Sequence, residues 1–554
     1  MKTELTRRSF LKGMAAAAVS GAAAIALPHV NVYAEESAAP EDGAKYSPYS
    51  NPDEIGILHE AATEEEFAAV FVGTGIGGMM GAMICAEQMP EEKILLIDKN
   101  GYIGGNTNFA ERNAPNPGKT WEEALQYGAE VAAASSWQKD GRLYAERAYD
   151  YGKNSGWLYL KHHWKLHAPE DGSRPMYEGG NGAISMQKLY KEIQEDAAYA
   201  NLDLRLETRA TALILEDEYH VKGVQIQSKD GSYINVYAKA VVLATGGMSN
   251  NTELLQYYSG QDLNKCEVMG VGQDGDGHLM AEQTAHGRCK TVALSSMFNH
   301  VKGFDINSML SVAACVNPTA VVVNQDGLRF LNESAPSDIQ WCKAIEQQGR
   351  SFSIMGTGLL KYYEEGGMNR MKPLVGLNKA HEPVDLTSEL EEYKDNENLY
   401  VADTLEELAE KIGVPADAFV ATMQRYEEDV AAGEGDTLYG KDATYMISEG
   451  EGPYYAFEIS SVIFNTNNGI RVNHNAQVVD AAYKPVEGLY AVGICMSGFN
   501  EPELYSVATC QSSSVWSGSK AARHLIENCC GKTVADDWYG EEYTADSVVE
   551  YDNK

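Results

Sequence analysis

Residues 67–88 read FAAVFVGTGIGGMMGAMICAEQ. Phe67 to Val72 is a short apolar run of strand composition that stops at Gly73. Gly73, Gly75 and Gly78 fit G-x-G-x-x-G, and the Met- and Ala-rich stretch to Gln88 predicts a helix. Each glycine has its own task. The first makes the turn, the second lets backbone approach a pyrophosphate, and the third lets helix and strand pack closely. The helix N-terminus then faces the phosphates, where free N–H groups and the helix dipole favour negative charge. A second apolar strand, Ile94 to Ile97, ends at Asp98, where an acid can hydrogen-bond a ribose hydroxyl. The glycine motif alone is weak. Strand, helix, second strand and terminal acid together read as a βαβ start that binds a dinucleotide.

Further along, Ala240 to Ala244 reads as a buried strand ending in Thr245-Gly246-Gly247, and Gly488 to Gly493 as another. From about 257 to 450 the pattern is irregular, mixing strands, loops and helices such as Thr404 to Ile412. A last helix is expected over roughly Ser512 to Asn528. The layout predicts an α/β chain with a Rossmann-like nucleotide-binding domain in two parts, 64–256 and 451–535. Between them sits an α+β capping domain, 257–450. A polar lead-in (35–63) and a tail (536–554) flank the whole.

The N-terminus carries Thr6-Arg7-Arg8-Ser9-Phe10-Leu11-Lys12, an apolar run from Met14 to Leu27, and Ala34 as a small residue before Glu35. Residues 1–34 therefore read as a signal peptide, and the adjacent arginines point to twin-arginine export to the periplasm or cell envelope. An uncleaved anchor is the alternative, although the run is short for a membrane span. No stable span is expected in the mature chain. Formal net charge is -36, which repels nucleic acid and anionic lipid and suits either a soluble exported surface or basic redox partners. The nine cysteines are scattered, with no C-x-x-C-H, which excludes attached c-type haem; buried thiols are expected and no metal site.

Several further segments resemble the flavoprotein subunit of the fumarate reductase and succinate dehydrogenase superfamily, including its flavocytochrome c and 3-ketosteroid dehydrogenase branches. Gly104-Gly105-Asn106-Thr107 resembles the segment that wraps FAD, and Ala244-Thr245-Gly246-Gly247 the strand that closes on the adenosine half. Gly275-Asp276-Gly277, Val323 to Glu333, Ala402 to Ala409 and Gly488 to Gly493 follow in family order. The resemblance implies FAD as cofactor, with Lys99, Ala212, Asp276, Gly493, Gln511 and Ser512 joining the glycine segments and Asp98 around it. It also implies a substrate held between cap and flavin, with hydride passing between flavin N5 and a substrate carbon.

The active-site positions depart from the family. By spacing, its proton-donating arginine falls at Ser337, its Thr-Glu and nearby Arg at Val312, Ala313 and Val316, and a later histidine at Asn465. A second clamp arginine falls near Leu504 or Tyr505. A dicarboxylate in such a pocket lacks paired cations, which is costly, so a neutral or singly charged, bulkier and aromatic substrate fits better than fumarate. His300 falls at the family's first active-site histidine, and is either functional or structural. Tyr505 is the first candidate acid, with a packing role the alternative; Asp338 and Glu333 are further candidates. Arg112, where the family has small residues, either raises the flavin potential or holds a substrate acid. Backbone at Cys510 to Ser512 would meet the flavin's pyrimidine edge at the last helix's N-terminus, or the serines there simply cap the helix.

These readings lead to an exported reductase of an activated C=C bond, an enoate or enone. Its electrons are expected from a separate membrane-linked cytochrome or flavin carrier in anaerobic respiration. The alternatives are a flavin dehydrogenase of a steroid-like ketone and a non-catalytic flavin electron carrier.

Overall fold

The computed structural model describes residues 55–110, 118–133, 140–167, 176–178, 181–259, 266–268, 270–284, 286–289, 293–305, 308–315, 317–334, 338–366, 385–467, 469–497 and 507–547. The signal segment lies outside them, as do Arg112, Val316, Ser337, Leu504 and Tyr505.

The βαβ start forms as the sequence predicts. Strand β1 (Thr63–Val72) is exposed over its acidic first half and buried from Ala68 on, so its apolar run is covered on both faces. Helix α1 (Ile76–Gln88) buries every residue from Ile76 to Ala86, which requires cover all round. Strand β2 (Ile94–Ile97) pairs parallel to β1 with Val70 opposite Leu95. β3 (Leu202–Arg205) extends the sheet beyond β2, and β6 (Tyr233–Leu243) flanks β1 on its other side, both parallel. β4 (Arg209–Asp217) and β5 (His220–Gln227) form an antiparallel excursion leading into β6.

The chain returns to this sheet near its C-terminus. β7 (Gln477–Val479) and β8 (Pro485–Ala491) form a hairpin, and β8 pairs parallel to the end of β6, Leu489 opposite Val241. β6 is thus shared, its first half bonded to β5 and its second to β8. The eight-stranded order is β7-β8-β5-β6-β1-β2-β3, with β4 against β5. The last helix, α5 (Val507–Asn528), packs on α1.

The cap is built on a second sheet of six strands. Its spine is the strand Tyr454–Asn467, antiparallel to Ala293–Val301, Ser351–Met355 and Leu399–Ala402. This corrects the expected boundary: the chain re-enters the nucleotide sheet at β7, not at 451. Helices α2 (Trp121–Ala133), α3 (Gly141–Tyr149) and α4 (Asp276–Thr284) belong to the nucleotide side. The expected helix after Thr404 spans Leu405–Ile412, with Thr404 Oγ1 accepting from Glu407 N at 3.2 Å as its cap. A buried ion cluster pins the cap. Arg329 donates to both oxygens of Glu333 (3.0 and 2.7 Å) and to Asp436 (3.1 Å).

Candidate cofactor and active site

The carboxyl ends of β1, β2, β6 and β8 open on one cavity of about 860 Å³, counting its solvent-facing mouth. Ligands of open α/β sheets bind at this edge. Gly73, Gly75 and Gly78 line it, and the three are not equivalent. A Cβ on Gly73, at φ +114°, would lie 2.3 Å from Ala244 O, and one on Gly78 would lie 2.0 Å from Gly73 O. Those two glycines are required by the chain's own packing. A Cβ on Gly75 would meet only Thr107 Oγ1, at 3.8 Å. Its missing side chain leaves a cradle in the cavity, at a helix N-terminus that the Gly75 N-cap itself leaves without a side-chain bond. That is the geometry a pyrophosphate needs.

Asp98 lines the cavity, but its carboxylate is already engaged. One oxygen accepts from Thr74 N (2.9 Å) and Thr74 Oγ1 (2.6 Å), the other from Asn100 N (2.9 Å) and Asn100 Nδ2 (3.0 Å). Thr74 Oγ1 also accepts from Gly104 N at 3.0 Å. Asp98 therefore ties the glycine loop to the Gly104–Thr107 segment, a role beyond the ribose contact expected for it. Lys99 Nζ bridges Asp274 (2.6 Å) and Asp276 (3.0 Å). Burial alone would weaken its charge, but the two carboxylates outweigh burial and raise its pKa.

Gly104, Gly105, Asn106, Thr107, Thr245, Gly246, Asp276 and Gly493 also line the cavity. Gly493 N donates to Ser517 Oγ at 2.9 Å, fixing the end of β8 against α5. Ala212 is not among the lining residues; it is buried in β4, and Ala210 lines the cavity instead. Gln511 and Ser512 are likewise buried off this lining, and Ser514 takes part. α5 starts at Val507, so Gln511, Ser512 and Ser514 all lie inside the helix, and of the three Ser514 is the one on the cavity side. Ser514 is not a cap: its Oγ donates to Cys510 O (2.8 Å), as Ser517 Oγ farther along does to Ser513 O (2.7 Å). Arg147, buried on α3, donates to Ser513 Oγ at 2.9 Å and sets a guanidinium behind this helix. Sequence reasoning missed it, and it missed the lining residues Arg209 and Gln273, which carry no local motif.

His300 is buried in the cap strand Ala293–Val301 and does not line the cavity. Its Nδ1 faces Glu267 Oε2 at 2.8 Å, and its Nε2 faces Asp305 O at 3.2 Å. Glu333 is held by Arg329 and accepts from Val322 N (3.1 Å), as a structural residue would. The side chain of Asp338 lies outside the described residues. Val312 and Ala313 are buried among apolar neighbours, and Asn465 is buried on the spine strand. His278 follows Asp276 on α4, and burial pushes it down to about 4 against the pull of that carboxylate, so it is neutral.

The cradle, the helix N-terminus and the cavity along the strand ends suit a dinucleotide such as FAD. Residues 69–503 match the FAD binding domain family, and the chain belongs to that family. It is similar to a vinyl phenol reductase of Lactiplantibacillus plantarum, 25% identical over 84% of this chain and 97% of that one. It is also similar to a probable fumarate reductase of Shewanella frigidimarina, 26% identical over 86% of this chain and 78% of that one. Among solved structures, the open conformation of a flavocytochrome c3 fumarate reductase shares the fold, with TM-score 0.58 and 24% identity over 83% of this chain and 79% of that one. The chain is an FAD-dependent oxidoreductase of this fold. No helix of the described residues is long and apolar enough to cross a membrane.

Proposed function

We propose that the chain reduces an activated C=C bond of an aryl or otherwise bulky enoate or enone, after twin-arginine export. The observation that carries this reading is an intact cofactor cradle in a chain whose cap core holds the apolar Val312 and Ala313 at positions where the family resemblance implies dicarboxylate-gripping residues. Val312 and Ala313 are buried in the helix Met309–Cys315, whose described neighbours include Val301, Phe304 and Ile459. A dianion there would be desolvated without the charge-assisted bonds that offset the loss. The similarity to proteins named vinyl phenol reductase and fumarate reductase supports the reaction class.

Bound FAD supplies the electron pair. The chain orients the substrate, excludes water and delivers a proton, with Tyr505 the assigned acid. Electrons reach the flavin from a separate cytochrome or flavin carrier. The test is anaerobic reoxidation of dithionite-reduced protein, followed at the flavin absorbance band, with enoates, aryl acrylates, enones and fumarate. Reoxidation by a bulky unsaturated acid or enone but not by fumarate is expected. Reoxidation by fumarate would refute the pocket reading, and silence from all would favour the ketone dehydrogenase or the flavin carrier. Unchanged turnover in Tyr505→Phe would remove the assigned acid.

A further inference from the structure

We propose that Phe109 is the substrate-selecting ring of this site, seating an aryl group conjugated with the double bond that is reduced. The inference rests on the reaction assigned above and names the part of the substrate that the site recognises. Phe109 closes the short 3-10 turn Gly105–Phe109, whose residues Gly105, Asn106 and Thr107 line the cofactor cavity. Single exposed apolar side chains are common on protein surfaces, so its 43% exposure says little alone. Its place and its rigidity say more.

The turn is held from three directions. Thr107 Oγ1 accepts from Ile76 N at 3.1 Å, which ties it to the start of α1. Asn106 Nδ2 donates to Phe464 O at 2.9 Å, and Asn106 Oδ1 accepts from Val271 N at 3.1 Å. Asn108 Nδ2 donates back to Ile103 O at 2.8 Å. The Phe464 carbonyl also accepts from Gln273 Nε2 at 3.3 Å, so the cap strand is fixed where it meets the turn. At that junction the Phe109 and Phe464 rings stand at 90°, centroids 6.4 Å apart. Phe464 is buried, and Phe109 keeps much of its surface open.

A ring presented on a fixed turn loses little conformational freedom when a ligand stacks on it. Its quadrupole favours a second aromatic ring in offset or edge geometry over a small aliphatic chain of equal charge. The Phe109–Phe464 corner thus bridges cofactor segment and cap, the two walls between which the family resemblance puts the substrate.

The experiment uses FAD-loaded wild type, Phe109→Ala and Phe109→Leu. The readouts are turnover of 3-phenylpropenoate and but-2-enoate, and binding of the saturated 3-phenylpropanoate to oxidised protein by flavin absorbance. Phe109→Ala is expected to weaken 3-phenylpropanoate binding about tenfold and to lower kcat/KM for 3-phenylpropenoate as much, through KM, with but-2-enoate changed less than about twofold. Phe109→Leu, which keeps apolar volume without the ring, should fall between and guards against a folding defect in the alanine variant. Equal losses for both acids, or none for either with FAD retained, overturn the proposal. So does faster FAD release with an unchanged acid preference, which would make Phe109 a cover for the cofactor. A wild type that reduces neither acid sinks the assigned reaction, and the saturated acid still decides on Phe109: no binding to wild type, or equal binding to all three proteins, overturns it.

Discussion

The glycine loop allows two substitutions of the same size, three residues apart in the chain, to be set against each other. In Gly78→Ala the new methyl sits 2.0 Å from Gly73 O and 2.9 Å from the Ala244 Cβ. Its neighbours are backbone and a strand-end side chain, so α1 must move away from β1. Overpacking of this kind costs about 1–3 kcal/mol, and each kcal/mol lowers Tm by about 2–4 °C in domains of 150–250 residues. In Gly75→Ala the methyl enters the cradle, where Thr107 Oγ1 at 3.8 Å is an ordinary contact. The Gly75 φ of -57° suits alanine. Poorer helix capping and reduced unfolded-state entropy oppose each other, so apoprotein stability should change by less than about 1 kcal/mol. FAD affinity should nevertheless fall at least about tenfold, or 1.4 kcal/mol, because the methyl stands where backbone must approach the pyrophosphate. The assay is thermal unfolding of both apoproteins with FAD titration by fluorescence quenching. Wild-type FAD affinity in Gly75→Ala, or an apoprotein Tm loss matching that of Gly78→Ala, would refute the division of labour.

Three further outcomes are expected. Lys99→Met leaves Asp274 and Asp276 without their shared cation in a buried place, and should cost about 3–5 kcal/mol in apoprotein urea unfolding, with FAD lost on gel filtration. Arg329→Met removes the shared cation of Glu333 and Asp436, leaving Lys441 at 3.8 Å from Glu333, and should cost about 3 kcal/mol by the same measurement while FAD binding persists. His474 lies 2.8 Å from Asp140 and 3.3 Å from Glu146, and the hydrogen bonds to them push it up to about 9. Burial would raise Glu146, but His474, Lys520 and Arg142 outweigh it and bring it down to about 2. A raised histidine contributes its full stabilisation below its ordinary 6.5 and loses it as pH rises through 9. The Tm gap between wild type and His474→Gln should therefore be largest near pH 5–6.5 and shrink toward pH 9 and above; a gap that grows with pH would contradict this.

The nucleotide half was legible because its signals are local. A strand, a glycine turn and a helix occupy one short stretch, and Gly73 and Gly78 are forced by contacts with neighbouring backbone while Gly75 leaves the cradle open. The cap boundary was misread because Tyr454–Asn467 is a spine strand with neighbours distant in sequence, and nothing in its own residues says which sheet they complete. The start of α5 was misread because consecutive serines suggest a cap, whereas the helix begins at Val507, Ser514 Oγ returns to Cys510 O and Ser513 Oγ accepts from Arg147. Arg147 and Gln273 were invisible for the same reason as the sheet: their importance comes from elements that meet only in the fold. His300 had a family precedent, yet its ring is spent on Glu267 and Asp305, and no sequence pattern announces that pairing.

The shared strand β6 also sets an order of events. One side of its end is covered early, by β1, and the other only when β8 arrives. Val492, Gly493, Ile494 and Ser514, which complete the cavity wall, come from that late segment. A nascent chain therefore has its phosphate cradle long before it has a closed site. Closure around FAD must wait until residues 477–514 have docked, so a filled cofactor site reports that this late segment has joined the sheet.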